Sequence, residues 1–290
     1  MKVFVTGIAG FIGSALAETL TERGHSVIGS VSSAEKMAAA SRFAGQCFVM
    51  PLNEDFDPKV FRDVDTIVHC AHDLRAGKSE INKEGTEKIA HAAAAEDIKQ
   101  QIYIGSYSAH EQATSEYGKT KLALERFFLN LGQTVVKPGV VIGSGGIFLK
   151  MSGFVQKYPL VPLIDGGRGR LPIVSIKDLT GALAQLVEQP RPGCFRLYNQ
   201  EQITFKQLLD QIKQACNSKA VTIAVPYQVV YAGLWLAGKL RLPLQVDLGN
   251  LQGFKANQAV QAASDLEQFI PHPSSLSAMV MSAVHRKEVR

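Results

Sequence analysis

The 290-residue sequence predicts an α/β protein, a doubly wound parallel sheet with a smaller, mostly C-terminal lobe. Three observations carry that expectation. Apolar runs of strand length alternate with helix-periodic stretches over residues 1–138. The connections between them are short, as crossovers between parallel strands require. Past residue 138 the regularity drops, and residues 139–173 are rich in glycine and proline.

Taken in order, "KVFVT" (2–6) is an apolar strand run, and Phe11, Ile12, Ala15, Leu16 and Leu20 then recur at helical spacing. Strands follow at 25–30, 46–50, 65–70, 100–105 and 133–138, with helices near 34–43, 79–96 and 115–131. A strand and a helix resume over 173–188, and "CFRLYN" (194–199) reads as one more strand. Thr204 with Gln207 three residues later forms a capping box ahead of "FKQLLDQIKQA". The expected layout is a nucleotide-binding core over 1–138, to which 173–200 returns, and a smaller substrate lobe over 139–290.

Composition excludes several classes. Hydrophobic residues make up 46% and charged residues 20%, ordinary values for a soluble globular protein. The net charge of +5 comes without a basic run interleaved with aromatics, so nucleic acid is not an expected partner. The excess of cations suits an anionic small-molecule substrate. Cys47, Cys70, Cys194 and Cys216 have no paired spacing, which argues against a disulfide framework or zinc site and for a reducing, cytoplasmic location. No basic-then-apolar leader precedes the first strand. The apolar stretch "YQVVYAGLWLAGKL" is too short to span a bilayer and carries Lys239, so no transmembrane segment is expected. Apolar over two faces and holding Trp235, it offers a core helix, a homodimer surface, or a patch for a membrane or an apolar substrate; core packing is the expectation.

The strand at 2–6 runs straight into Gly7, Gly10 and Gly13, and a helix opens on them. Glycines in that place let the backbone turn tightly and approach a pyrophosphate held on the helix amides. Thr6, Gly7, Gly10, Phe11, Ile12 and Gly13 are therefore candidate cofactor ligands. The spacing G-x-x-G-x-x-G closely resembles that of the short-chain dehydrogenase/reductase superfamily, and "TGIAGFIG" resembles its extended, nucleotide-sugar epimerase/dehydratase branch. "DTIVHCAH" is similar to that family's fourth strand, which ends beside the cofactor and implies Cys70 and Ala71 as neighbours of it. "NKEGTEKIAHAAA" resembles the following helix and implies Asn82. "VVKPGVVIG" resembles the segment after strand six and implies Pro138, with Lys137 in place of the usual arginine. In "VMPLN", Pro51 stands where the family often has an aspartate near the adenine, and Leu52 follows as a cofactor neighbour. The resemblance implies a Rossmann-type fold over about residues 1–210.

The end of the second strand separates the two nicotinamide cofactors. An NAD site usually places a carboxylate there to accept from the ribose hydroxyls. Here "VIGSVSS" offers Ser30, Ser32 and Ser33 with Lys36 beyond them, a set of hydroxyls and one cation suited to a ribose phosphate. The serines equally suit a helix cap. NADP is favoured and NAD stays open.

Tyr117 and Lys121 in "SEYGKTKLALE" stand four apart, so a helix projects both from one face. They match the family's Tyr-x-x-x-Lys pair, and the resemblance implies a catalytic phenol with a lysine that also holds the nicotinamide ribose. A cation beside the phenol is expected to lower its pKa. The third partner lies in "IGSYSAH": Ser106 is the first choice and Ser108 the second, with Tyr107 at the position the extended branch often uses. Only ten residues separate Ser106 from Tyr117, shorter than extended members usually have, which trims the substrate wall and favours carbonyl reduction over epimerisation. Arg170 in "DGGRGR" is a candidate for gripping a substrate phosphate, and a solvated loop arginine is the competing reading. His69 and His72 fall on opposite sides of a strand end with no carboxylate cluster nearby, so no metal is expected and both are read as structural.

These readings converge on an NAD(P)-dependent oxidoreductase that moves hydride to or from a small carbonyl or alcohol, with Tyr117 as acid/base. The alternatives are a nucleotide-sugar epimerase/dehydratase and a non-catalytic NADPH-binding scaffold or sensor. The second follows from the similarity of the 226–244 stretch to relatives of the NADPH-binding accessory subunit of respiratory complex I.

Overall fold

A computed structural model describes residues 1–240, 248–258, 260 and 262–285. The chain begins with β1 (Lys2–Thr6), α1 (Phe11–Glu22), β2 (Ser26–Val31), α2 (Met37–Ala40), β3 (Gln46–Val49) and β4 (Thr66–His69). It continues with α3 (Ser79–Ala95), β5 (Gln100–Ile104), α4 (Glu116–Asn130) and β6 (Thr134–Pro138). Next come β7 (Val140–Ile142), α5 (Gly146–Lys157), β8 (Leu160–Ile164), β9 (Arg170–Leu171), β10 (Ile173–Ser175), α6 (Ile176–Glu188) and β11 (Gly193–Leu197). The remainder holds β12 (Ile203–Thr204), α7 (Phe205–Ala215), β13 (Val221–Val225), α8 (Tyr227–Lys239), α9 (Leu248–Asn257) and α10 (Leu276–His285).

Seven strands form one parallel sheet in the order β11-β6-β5-β4-β1-β2-β3. An all-parallel sheet is covered on both faces, and its strands serve two cores by alternation. Val3 and Val5 of β1 enter a core with Leu16 and Leu20 of α1 and Leu179 and Leu183 of α6. Phe4, between them, points the other way and packs with Ile67 and Ile89. Tyr103 of β5 likewise turns from its neighbours Ile102 and Ile104 to stack on Phe128 of α4 at 4.9 Å. The chain winds from β1 toward β3 on one side and from β4 toward β6 on the other. The crevice where that direction reverses, at the carboxyl ends of β1 and β4, is where open α/β sheets bind ligands.

Outside the large sheet lie three two-stranded pairs, β10-β7 and β13-β8 parallel and β12-β9 antiparallel. A second core joins Phe148 and Val155 of α5, Leu208 and Ile212 of α7, and Val280 and Val284 of α10. The capping box forms at Thr204, whose hydroxyl accepts from the Gln207 N–H.

Three elements differ from the sequence expectation. Residues 139–173, expected to be irregular, contain β7, α5, β8 and β9. Gly143 and Gly145 abut the Phe11 ring just ahead of α5. The helix expected over 34–43 shrinks to a 3-10 turn at 34–36 and the four residues of α2. The third difference is α8, expected in the core. Only its Ala237 is buried, with Tyr227, Val230 and Leu234 half-buried along the same stripe. Apolarity favours burial but does not create a neighbour to be buried against.

Candidate active site

The crevice is built first from backbone. Gly7 has φ +65°, and a Cβ there would stand 2.9 Å from Ala71 Cα; one on Gly13 would stand 2.5 Å from the Gly7 oxygen. A side chain at either position would force the turn open. Gly10 is the N-cap of α1, with no side-chain cap and no acid in the first turn. The Phe11, Ile12 and Gly13 amides therefore lack intrahelical acceptors and present the positive end of the helix to the crevice. Thr6 also ties the crevice together. It is buried, and its hydroxyl accepts from the Cys70 and Ala71 N–H groups at 3.0 Å each, tying the ends of β1 and β4 together.

At the end of β2, Ser30 is buried, while Ser32 and Lys36 are exposed and joined by a hydrogen bond from Lys36 Nζ to Ser32 Oγ of 2.8 Å. Ser33 is the N-cap of the 3-10 turn, but its side chain makes no capping hydrogen bond. The helix-cap reading of these serines thus loses its support, and a hydroxyl and a cation stand side by side.

Beyond β4, Asn82 is buried and its amide is spent on the chain: Nδ2 donates to the Asp73 carbonyl at 2.8 Å and Oδ1 accepts from the Asp73 N–H at 2.7 Å. Its side chain thus holds the loop that follows β4. The Leu52 carbonyl packs on Gly85 of α3. The Pro138 carbonyl accepts from the Tyr107 N–H at 3.0 Å. Burial pushes the Cys70 thiol up to about 12 against the opposing pull of the Lys121 charge.

Tyr117 and Lys121 lie one turn apart on α4, a helix capped by Ser115 Oγ accepting from the Gly118 N–H. Lys121 is buried, donates to the Ile104 carbonyl at 2.7 Å, and sits 5.9 Å from the Tyr117 ring centre. Ser106 stands near enough to the Tyr117 phenol to pull its pKa down, and its Oγ accepts from the Ser108 N–H at 3.1 Å. Ser108 turns elsewhere, its Oγ accepting from Asn257 of α9 at 2.9 Å. Tyr107 points away as well, donating to the Val260 carbonyl at 2.5 Å. Of the three residues in that loop, Ser106 meets Tyr117. Arg170 is exposed on β9, beside Gly169, which abuts Phe254 of α9 and Gln258 just past its end.

The electrostatics depart from the expected pattern. Burial raises the Tyr117 phenol above its usual pKa, and Ser106 acts against that rise. The lysine yields instead: burial draws Lys121 down to about 7, because a desolvated ammonium gains little from a carbonyl neighbour.

His72, read from sequence as structural, lies edge-on to Tyr117 with ring centres 5.3 Å apart and planes at 85°. Burial, reinforced by the Lys121 charge, holds its pKa at about 3, so the ring is neutral at ordinary pH. His69 keeps the expected structural place, its Nε2 paired with Gln101 Oε1 at 2.8 Å. No cluster of metal-ligating side chains occurs among the described residues. Sequence carried a faint signal for His72, its position one residue past the Ala71 that abuts Gly7. It carried none for Asn257, which arrives from α9. Nor did it show the ion pair of Lys137 with Glu125 at 2.8 Å, which closes the floor beneath the 105–110 loop through a bond from Lys137 to the Ala109 carbonyl.

The model of the NAD dependent epimerase/dehydratase family matches residues 3–199, which covers the glycine turn, α4 and β11. The chain belongs to that family. Among curated relatives, the UDP-2-acetamido-2,6-beta-L-arabino-hexul-4-ose reductase of Pseudomonas aeruginosa is 24% identical over 250 residues, 77% of this chain and 60% of that protein. The mitochondrial NADH dehydrogenase [ubiquinone] 1 alpha subcomplex subunit 9 of Arabidopsis thaliana is 27% identical over 209 residues, 67% of this chain and 52% of that protein. The chain thus spans about half the length of the curated relatives it matches. Among solved structures, the UDP-glucose 4-epimerase of Thermotoga maritima shares the fold with a TM-score of 0.76 over 100% of both chains at 17% identity. This family member has no helix long and apolar enough to cross a membrane among its described residues.

Proposed function

We propose that this family member is an NAD(P)-dependent oxidoreductase in which Tyr117 is the acid/base for a small carbonyl or alcohol substrate. The observation that carries the reading is the continuity of the crevice: Gly7 abuts Ala71, His72 lies edge-on to Tyr117, and Ser106 acts on the Tyr117 phenol. The uncapped start of α1 and the backbone of Gly7, Gly10 and Gly13 would hold the dinucleotide pyrophosphate; Ser32 and Lys36 would hold a ribose phosphate, favouring NADP. When bound, the nicotinamide supplies or accepts hydride.

The protein's own groups handle the proton. Tyr117 keeps 38% of its surface open, so a substrate can approach it, and its phenol would donate to a carbonyl oxygen while Ser106 steadies the same oxygen. A phenol raised by burial is protonated at neutral pH, which suits donation, and hence reduction, better than abstraction. The nearby Lys121 ammonium supports the phenolate left behind. Titration with NADPH and NADH, followed by carbonyl reduction with the preferred one, tests the proposal. Tyr117→Phe is expected to lower turnover by about 10²–10⁴-fold with nucleotide affinity nearly unchanged. Unchanged turnover would remove the phenol from the chemistry, and nucleotide binding without any turnover would support a scaffold or sensor. A nucleotide-linked ketosugar is the second substrate class, favoured by the reductase activity of the Pseudomonas relative.

A further inference from the structure

We propose that β8, β13 and α8 together form a docking surface for an anionic phospholipid bilayer. The two strands pair in parallel with Leu160 opposite Val221 and Pro162 opposite Ile223, so these four share one face. Val161 and Leu163, on the other face, are buried in the second core. Among the described residues the outer face lies open: Leu160 is 54%, Val221 57% and Ile223 45% exposed.

After Pro226 the chain enters α8, which packs along one stripe and leaves the rest outside. Val229, Trp235, Leu236 and Leu240 are exposed there, Trp235 at 45% and Leu236 at 52%. A helix apolar all round is normally covered all round, and one that is not marks an interaction surface. At 13 residues α8 is too short to span a bilayer, so it would lie along the interface.

Charge selects the occupant. Residues 127–164 and 211–246 contain lysines and an arginine but no aspartate or glutamate. Lys150, Lys157, Lys219 and Lys239 are exposed, and Lys239 lies over the Trp235 ring at 4.0 Å, an aromatic with an ammonium reaching past it. That combination suits the headgroup layer, where rings sit at the boundary and ammonium groups meet lipid phosphates. A groove of about 430 Å³ lined by Lys150, Phe154, Lys157 and Tyr158 ends two residues before Leu160 and extends the same chemistry. Asp165, the carboxylate beside the surface, is occupied in accepting from the Tyr227 N–H at 2.9 Å. A second copy docked on the same face would bring these lysines toward each other.

Trp235 is the single tryptophan of the chain, so intrinsic fluorescence reports on α8 directly. The full-length protein is mixed with phosphatidylcholine vesicles, with and without phosphatidylglycerol, and followed by emission and co-sedimentation. A blue shift and sedimentation with the anionic vesicles are expected, both reversed by added salt. Lys219→Gln with Lys239→Gln is expected to weaken binding about thirtyfold. Val229→Glu with Leu236→Glu is expected to abolish it while keeping the reporter. Unshifted emission with both vesicle types, or equal binding to neutral ones, overturns the proposal. So does a dimer in sedimentation equilibrium that the glutamate variant dissolves, which would assign the face to a second copy.

Discussion

Strand β1 and helix α8 are both markedly apolar, and the molecule treats them oppositely. In β1, Val3, Phe4 and Val5 are wholly buried between two helical layers. In α8, thirteen residues yield one buried side chain, Ala237. The difference is one of neighbours. A central parallel strand has partners on both edges and helices on both faces as a consequence of topology, whereas α8 leans on α9 and leaves most of its surface outside. Hydrophobicity in a sequence therefore measures the drive to be covered, and the surroundings decide what does the covering.

The largest expected effect lies on the covered side. Glu125→Gln removes one partner from a nearly buried ion pair and leaves the Lys137 charge without its carboxylate, an expected loss of about 3–5 kcal/mol in urea unfolding. A loss below about 1 kcal/mol would show that water reaches this floor and that the interior is less closed than β1 implies.

Next comes a matched pair of truncations. Leu183→Ala, in the core between α6 and the sheet, should cost about 2–5 kcal/mol. Leu236→Ala, on α8, should change stability by less than about 0.5 kcal/mol. Equal losses would break the comparison, because they would mean that α8 is covered in solution by the same chain.

Acid should separate the regions more gently. In the unfolded chain an imidazole protonates near pH 6.5, whereas burial holds His69 at about 4 and His72 at about 3. Between those values the unfolded state binds more protons, so stability is lost as pH falls from about 6.5. Each group contributes up to about 1.4 kcal/mol per pH unit. His72→Gln should flatten the slope by one proton in urea titrations between pH 4.5 and 7.5; an unaltered slope would place His72 in water.

Much of the crevice was legible because its requirements are local. A glycine with positive φ between a strand and a helix, a helix start free of side-chain caps, and a Tyr and Lys one turn apart are all visible over a few residues. What was not legible depends on contacts between distant segments. Thr6 and Asn82 stand in the expected places, but their polar atoms are consumed by backbone that arrives from β4. Ser106 is distinguished from Ser108 by Asn257, which approaches from α9 across 149 residues of sequence. His72 looked like the end of a strand until α4 brought Tyr117 against it. Gly143, Gly145 and Gly146 suggested irregularity because their partner, the Phe11 ring, lies in α1.

By itself the sequence determined the alternating strands and helices, the glycine turn and the pairing of Tyr117 with Lys121, since periodicity and spacing act through the chain's own backbone. Tertiary structure decided which hydroxyl meets the phenol, why Lys121 rather than Tyr117 bears the downward pKa shift, and that α8 stays uncovered. Hydrogen bonding, desolvation and burial are properties of a neighbourhood, and the neighbourhood exists only once the chain has folded.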